Sequence, residues 1–379
     1  METQIITTHA EFMGLEKNWN ALLEENGNES VFFTFEWFKA WWEAFGNKKH
    51  IFILLLKDTS GKLIGIAPLM KYKSTCAMLP VKKISFMYND NAAECGFIFS
   101  GDSDNAITKI LDCLNEQKQG WDIMEFQSMA EDSANHKALK KILRKKKMRF
   151  CVKDWLHSPY ISIDSDWTRF VSNRSRKLRK NLRNLLNRLN RKGTFSIQQV
   201  SDLNHSRDIL NTVITISKTS WKTRYKKSIA YTSENRHFFE SLCTLACKKN
   251  WLKIWMLKIR GEPVAYEYHL IYKNKAHALR ADFNEKFKRV SPGAALNAVI
   301  IKSYFESGLK EYDLCGHAED YKLNWTSTVR RHSIFVVYGK NRYGALLYFI
   351  DYVCGYWMKR FLKQFRVLKI LKRKWLDRI

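Results

Sequence analysis

Two acids stand where strands are expected. Glu267 interrupts the otherwise apolar run VAYEYHL, and Asp282 lies on the next strand, Ala276 to Asp282. An acid inside a strand is costly to bury unless it is paired or serves a site, so each is a candidate general base. The competing reading for either is an ion pair with Arg280 or Lys322. Asp313 follows Tyr312 at the carboxyl side of a later strand, placed either for proton transfer or to orient the loop from Gly316 to Lys322. His269 and His317 titrate near neutral pH when unperturbed and could act as base instead, but neither has a legible partner.

A second kind of chemistry is suggested by Ser291-Pro292-Gly293, which opens a helix. A helix start leaves free N–H groups and the positive end of the dipole facing outward, which suits a pyrophosphate or another anion. Lys288 and Arg289 just before it would add cations, while the plainer reading is an ordinary N-terminus with Pro near its first position. Trp221 and Lys222 sit in the polar stretch SKTSWKTRYKKSIAY, where a ring flanked by cations could stack on a sugar or a base. Trp37, Trp41 and Trp42 recur at helical spacing and read as core. No GxxxxGK[ST] loop and no nucleophile elbow occurs, which argues against P-loop and hydrolase chemistry. The eight cysteines form no CxxC pair and no Cys/His cluster at zinc spacing, so reduced, buried thiols and no metal are expected.

The elements that must hold these residues follow from periodicity. Helices are expected over Glu11 to Glu25 and Phe35 to Phe45, then strands over Ile51 to Lys57, Lys62 to Met70 and Lys82 to Tyr88. A helix around Asn105 to Gln119, a strand Trp121 to Gln127, a helix around Asn135 to Lys147 and a strand Arg149 to Lys153 complete the first half. Thr168 to Lys192 has Leu178, Leu182, Leu185 and Leu189 at 4, 3, 4 spacing among arginines and lysines, the pattern of one long basic amphipathic helix ending at Gly193. Helices through Asp208 to Lys218 and Asn235 to Lys248 then precede strands Leu252 to Ile259, Val264 to Tyr272 and Ala276 to Asp282. Both halves thus read helix, helix, hairpin, strand, helix, strand, as a structural duplication would.

The chain has 379 residues, 45% of them hydrophobic, with 65 Lys and Arg against 37 Asp and Glu. The net charge of +28 favours a polyanionic neighbour: nucleic acid, an anionic membrane surface or a phosphorylated substrate. The first residues have no apolar core of signal-peptide type and no stretch reaches about 18 apolar residues, so a cytoplasmic protein without a membrane span is expected. The tail from Trp357 to Ile379 places Trp357, Phe361, Phe365, Leu368, Leu371 and Trp375 every three or four residues among nine cations, which suits a helix lying on an anionic membrane.

Three stretches carry a family resemblance: Val31 to Gly46, Ser172 to Leu189 and, most specifically, Gly261 to Trp325. In order and spacing they resemble the CelD/BcsL branch of GNAT-like acyltransferases, associated with cellulose and exopolysaccharide synthesis and also similar to FemAB aminoacyl transferases. The resemblance implies an α/β fold of two tandem GNAT-like domains, each a central mixed sheet flanked by helices. The corresponding division is 1–165, a connecting basic helix 166–193, a donor-carrying half 194–342 and a tail 343–379. It implies an N- or O-acyltransferase, with acetyl-CoA or another acyl-CoA as donor and a sugar, nucleotide sugar or polysaccharide precursor as acceptor. Tyr321 would be the acid for the leaving group, Glu267, Asp282 or Asp313 the base, and Arg289, Ser291, Gly293, Ala294 and Lys322 the donor contacts. Trp221 and Lys222 would then contact the acceptor. One departure stands out: the usual GNAT loop has Gln or Arg three residues before its first Gly, where this chain has Val290. Coenzyme A is therefore implied by the resemblance and not by the loop motif. The alternatives are a FemAB-like transferase using aminoacyl-tRNA, its basic surface holding RNA phosphates, and a non-catalytic nucleic-acid-binding protein.

Overall fold

A computed structural model of the chain describes residues 1–116, 120–191, 193–201, 203–225 and 228–354. Its strands are β1 (Glu2–Ile6), β2 (His50–Lys57), β3 (Leu63–Cys76), β4 (Leu79–Phe86), β5 (Ile98–Phe99), β6 (Ile123–Ala130), β7 (Arg149–Ser162), β8 (Phe195–Val200), β9 (Leu252–Ile259), β10 (Glu262–Tyr272), β11 (Lys275–Phe283), β12 (Glu311–Asp313) and β13 (Val329–Tyr338). Around them lie α1 (His9–Met13), α2 (Glu16–Glu25), α3 (Phe35–Phe45), α4 (Ser103–Glu116), α5 (Ala134–Lys145), α6 (Trp167–Ser172), α7 (Arg176–Asn190), α8 (Leu203–Lys218), α9 (Ser233–Lys248), α10 (Pro292–Glu306), α11 (Asp320–Leu323) and α12 (Arg342–Tyr348). The architecture is the mixed α/β expected from sequence, one large mixed sheet flanked by helices.

Local chemistry explains the elements. Thr34 caps α3 by accepting from the Trp37 N–H at 3.3 Å. The β2–β3 hairpin turns where Asp58 Oδ1 accepts from the N–H groups of Ser60 at 2.8 Å and Lys62 at 3.0 Å, with Gly61 at φ 83° supplying the left-handed residue. β2 is buried over Ile51 to Leu56, which is why its sequence is a continuous apolar run.

The sheet order is β1-β2-β3-β4-β6-β13-β7-β12-β11-β10-β9-β8, with β5 beside β3. Read from its ends, each half supplies five strands in the same sequence, and β4 runs parallel to β6 as β11 does to β12. The sixth strand of each half is exchanged. β13 pairs with β6, β7 pairs with β12, and β7 and β13 pair with each other over Arg149 to Pro159. A cut drawn near residue 165 would therefore separate β13 from the sheet it completes. One apolar cluster crosses between the halves, joining Trp37 and Phe45 of α3 to Phe238 of α9, with ring centroids at 5.2 Å and 5.6 Å. Trp37 and Trp41 are buried, each fully buried ring contributing roughly 3 kcal/mol.

The expected single helix from Thr168 to Lys192 is two helices. Asp166 caps α6 and Ser175 caps α7, accepting from the Leu178 N–H at 3.2 Å, so a second N-terminus forms where the leucine spacing alone predicted continuity. Leu178, Leu185 and Leu189 bury against a cluster that includes Ala295 and Leu296 of α10, leaving Arg176, Lys177, Arg179, Lys180 and Arg183 exposed. After β13 the chain forms α12 and a π-helical turn, Phe349–Cys354. No helix among the described residues is long and apolar enough to cross a membrane, and the expected amphipathic tail 357–379 lies outside the described residues.

Candidate active site

β11 and β12 run side by side for only three pairs, Lys275 with Glu311, Ala276 with Tyr312 and His277 with Asp313. β12 ends there, while β11 continues to Phe283 with β10 on its other side. The chain turns away through Cys315 at φ 46° and Gly316 at φ 64°. Two parallel strands thus part at their carboxyl ends, the place where open α/β sheets take ligands. α10 begins after the same strand. Ser291, at φ 54° and ψ 53°, gives it no side-chain cap, and Pro292 has no N–H to offer. The first turn, with Gly293 half-buried and Ala294 exposed, can meet an anion, and Lys288 and Arg289 are exposed on the 3-10 segment Glu285–Val290. A Cβ on Gly293 would lie 3.4 Å from the Phe283 ring, an ordinary contact, so packing does not require glycine there.

The two acids in the strands face opposite ways. Tyr266 is opposite Asp282 and Glu267 opposite Ala281, and neighbouring strand residues point to opposite faces. Asp282 is buried and saturated: it accepts from Ser217 at 2.9 Å, Ser220 at 2.8 Å and Tyr266 at 3.0 Å, with the Lys222 ammonium at 3.3 Å. Glu267 lies toward α10 and meets His269 Nε2 at 2.9 Å, the Tyr312 hydroxyl at 3.3 Å and the Asn297 amide at 3.4 Å. His269 in turn meets the Tyr304 hydroxyl at 2.6 Å through Nδ1. Burial, and then Glu267, push the Tyr312 phenol well up from its ordinary range. The structure therefore brings Lys222 to Asp282, keeps Glu267 apart from Asp282, and supplies His269 with the partners that the sequence hides at Tyr304 and Glu267.

Asp313 is also engaged, accepting from Ser158 at 3.0 Å, the Cys315 N–H at 2.8 Å and Arg330 at 3.2 Å. Lys322 is buried, and its ammonium donates to the carbonyls of Cys315 at 2.7 Å and His317 at 3.1 Å beside Glu319 at 3.2 Å. Those bonds close the turn after β12 and occupy the ammonium expected to contact the donor. Tyr321 differs from the other candidates in being 53% exposed. Partial desolvation raises its phenol above the ordinary range, with Glu319, Glu267 and Asp282 adding to the shift. Trp221 is half-buried on the 3-10 segment Trp221–Tyr225, which Arg224 joins to Glu285 ahead of α10.

Comparison with known proteins bears on the fold. Residues 176–323 match the family described as acetyltransferase (GNAT) domain. No curated protein sequence matches the chain. Among solved structures, FemX is similar with a TM-score of 0.59 at 12% identity, over 89% of this chain and 97% of that one. A Bacteroides thetaiotaomicron protein of unknown function gives 0.57 at 11% identity, over 88% and 100%. L-PGS from Bacillus licheniformis gives 0.51 at 14%, over 89% and 96%. These likenesses show a shared fold across both halves, and residues 176–323 are similar to the GNAT acetyltransferase domain family.

Proposed function

We propose that the chain transfers an aminoacyl group from tRNA to an amine of a cell-envelope precursor, with the donor ester held where β11 and β12 part. The observation that carries this reading is the extent of the likeness to FemX, which spans 89% of the chain and takes in both halves rather than one acyltransferase domain. L-PGS, matched over a similar extent, supports it. The exposed cations of α7 add a surface suited to RNA phosphates. In this reading Tyr321 protonates the leaving oxygen and Gly293 and Ala294 offer N–H groups to phosphate. Glu267, Asp282 and Asp313 hold the surrounding strands through their buried pairs, and the amine proton passes to solvent.

A second reading has a specific observation behind it. The matched family is described as an acetyltransferase domain, which favours acetyl-CoA or another acyl-CoA as donor. The acceptor would then be an amino or hydroxyl group of a sugar, as in the CelD/BcsL type, with Trp221 and Lys222 against it. Under either reading the cationic tail 357–379 is proposed to hold the enzyme at the inner, anionic membrane face, where its acceptor is made.

Thermal denaturation with each donor tests the donor class, since a ligand bound only by the native state must stabilise it. A 100-fold excess over Kd contributes about 2.7 kcal/mol. The proposal expects aminoacyl-tRNA to raise Tm and coenzyme A to leave it unchanged. A shift with acetyl-CoA alone would move the assignment to the second reading. A shift with any RNA, charged or not, and no loss of the aminoacyl ester would indicate nucleic-acid binding without catalysis.

A further inference from the structure

No metal-ligand spacing is visible along the chain, yet folding gathers three ligand types from two neighbouring strands. His277 on β11, Asp313 at the end of β12 and Cys315 on the following turn each offer one ligand atom, all within 4.8 Å of one another, and all three residues are buried. His277 and Asp313 are paired in the parallel register, and the left-handed backbone at Cys315, φ 46°, turns the chain back beside them.

His277 carries the inference furthest. It is 3% exposed, and neither ring nitrogen has a hydrogen-bond partner among the described residues. A buried polar side chain with both nitrogens unanswered requires a reason, because such groups are nearly always paired in native proteins. Asp313 accepts three bonds, from Ser158, the Cys315 N–H and Arg330, which leaves capacity in a carboxylate with about four lone-pair positions. Cys315 Sγ makes a weak contact with the Asp313 carbonyl at 3.7 Å. His277 and Asp313 also line a cavity of about 180 Å³ bordered by Glu94, Glu311, Lys275 and Arg330. Arg330 is held by both oxygens of Glu311, at 3.1 Å and 3.2 Å, so its charge is shared between two acids.

We propose that a ring nitrogen of His277, a carboxylate oxygen of Asp313 and the sulfur of Cys315 bind one divalent transition-metal ion. The mixed nitrogen, oxygen and sulfur donors suit Zn²⁺. Binding exchanges the Cys315 S–H bond for a sulfur–metal bond, and the proton passes to solvent. Three protein ligands leave a fourth position, which water in the adjoining cavity can fill. The ion would fasten β11 to the turn leading to Lys322 and Tyr321, at the point where the two strands begin to part. The site does not depend on which acyl donor the protein uses.

Metal analysis of the untagged full-length protein, purified without chelator, tests this directly. About one zinc per chain is expected. After stripping and refilling with Co²⁺, a thiolate-to-cobalt absorption band in the near ultraviolet is expected, absent in Cys315→Ser and in His277→Ala. Zn²⁺ should raise Tm of the stripped wild type and leave that of Cys315→Ser unchanged, which keeps the test valid if His277→Ala folds poorly. Stripped wild type that takes up no metal, or a cobalt band of equal strength in Cys315→Ser, would overturn the proposal.

Discussion

The candidate acids and bases differ in what remains open to them. Asp282 has its oxygens filled by two serines, a tyrosine and Lys222, and Glu267 is closed in by His269, Tyr312 and Asn297. Tyr321 alone among the catalytic candidates combines exposure with a field from nearby carboxylates. Tyr321→Phe should therefore lower kcat by about 10²-fold or more with donor affinity and Tm nearly unchanged, as expected for loss of a proton donor. Unchanged turnover would remove Tyr321 from the mechanism. Glu94 gives a pH test. Burial raises its carboxyl from 4.5 to about 7, with Asp313 adding to the rise and Arg330 opposing it. The folded state then holds a proton that the unfolded state releases, so stability falls as pH rises from 4.5 to about 7 and the penalty is complete above that. With chelator present, Glu94→Gln should raise Tm at pH 8 and have little effect at pH 5; equal effects at both would contradict the assignment. At this scale the sequence showed that Glu267 and Asp282 had to be paired or functional. It could not show their partners, because Tyr312 lies 45 residues from Glu267 and Ser217 lies 65 from Asp282. Lys322 was legible as a cation near the site, but its engagement with two backbone carbonyls depends on the left-handed turn at Cys315 and Gly316.

Among the elements, α7 matters most for the choice of donor. Its buried leucines dock it beside α10, and its exposed arginines and lysines face solvent near the Lys288 and Arg289 segment. Replacing Arg176, Arg179, Lys180 and Arg183 with Gln together should weaken tRNA binding at low salt. The slope of log affinity against log salt should fall by about 0.7 to 0.9 for each phosphate that is no longer neutralised, with the circular dichroism spectrum unchanged. A slope equal to wild type would place the RNA elsewhere or exclude it as a ligand of this face. The leucine period predicted this helix and its buried face. Its start is not legible in that period, because Ser175 and Asp166 are ordinary polar residues until each caps a first turn.

For the whole molecule, the duplicated order of elements was legible, since each half repeats the same periodicities. The exchange of β7 and β13 was not, because it joins segments about 180 residues apart and leaves no local pattern. It predicts that residues 1–165 expressed alone will lack a cooperative unfolding transition, since β6 and β7 both lose β13, and that co-expression with 166–379 will restore one. A fragment that melts cooperatively by itself would contradict the exchange. Across the two halves, the proposed donor site lies where β11 and β12 part, over the open first turn of α10. Isothermal titration of wild type, Gly293→Ala and Gly293→Val with the donor that raises Tm tests this placement most directly. Since a Cβ at Gly293 meets only Phe283 at 3.4 Å, both variants should fold. Gly293→Val is predicted to bind at least about tenfold more weakly, a difference of about 1.4 kcal/mol, with Gly293→Ala between the two. Normal affinity in a folded Gly293→Val protein would mean that the donor lies elsewhere.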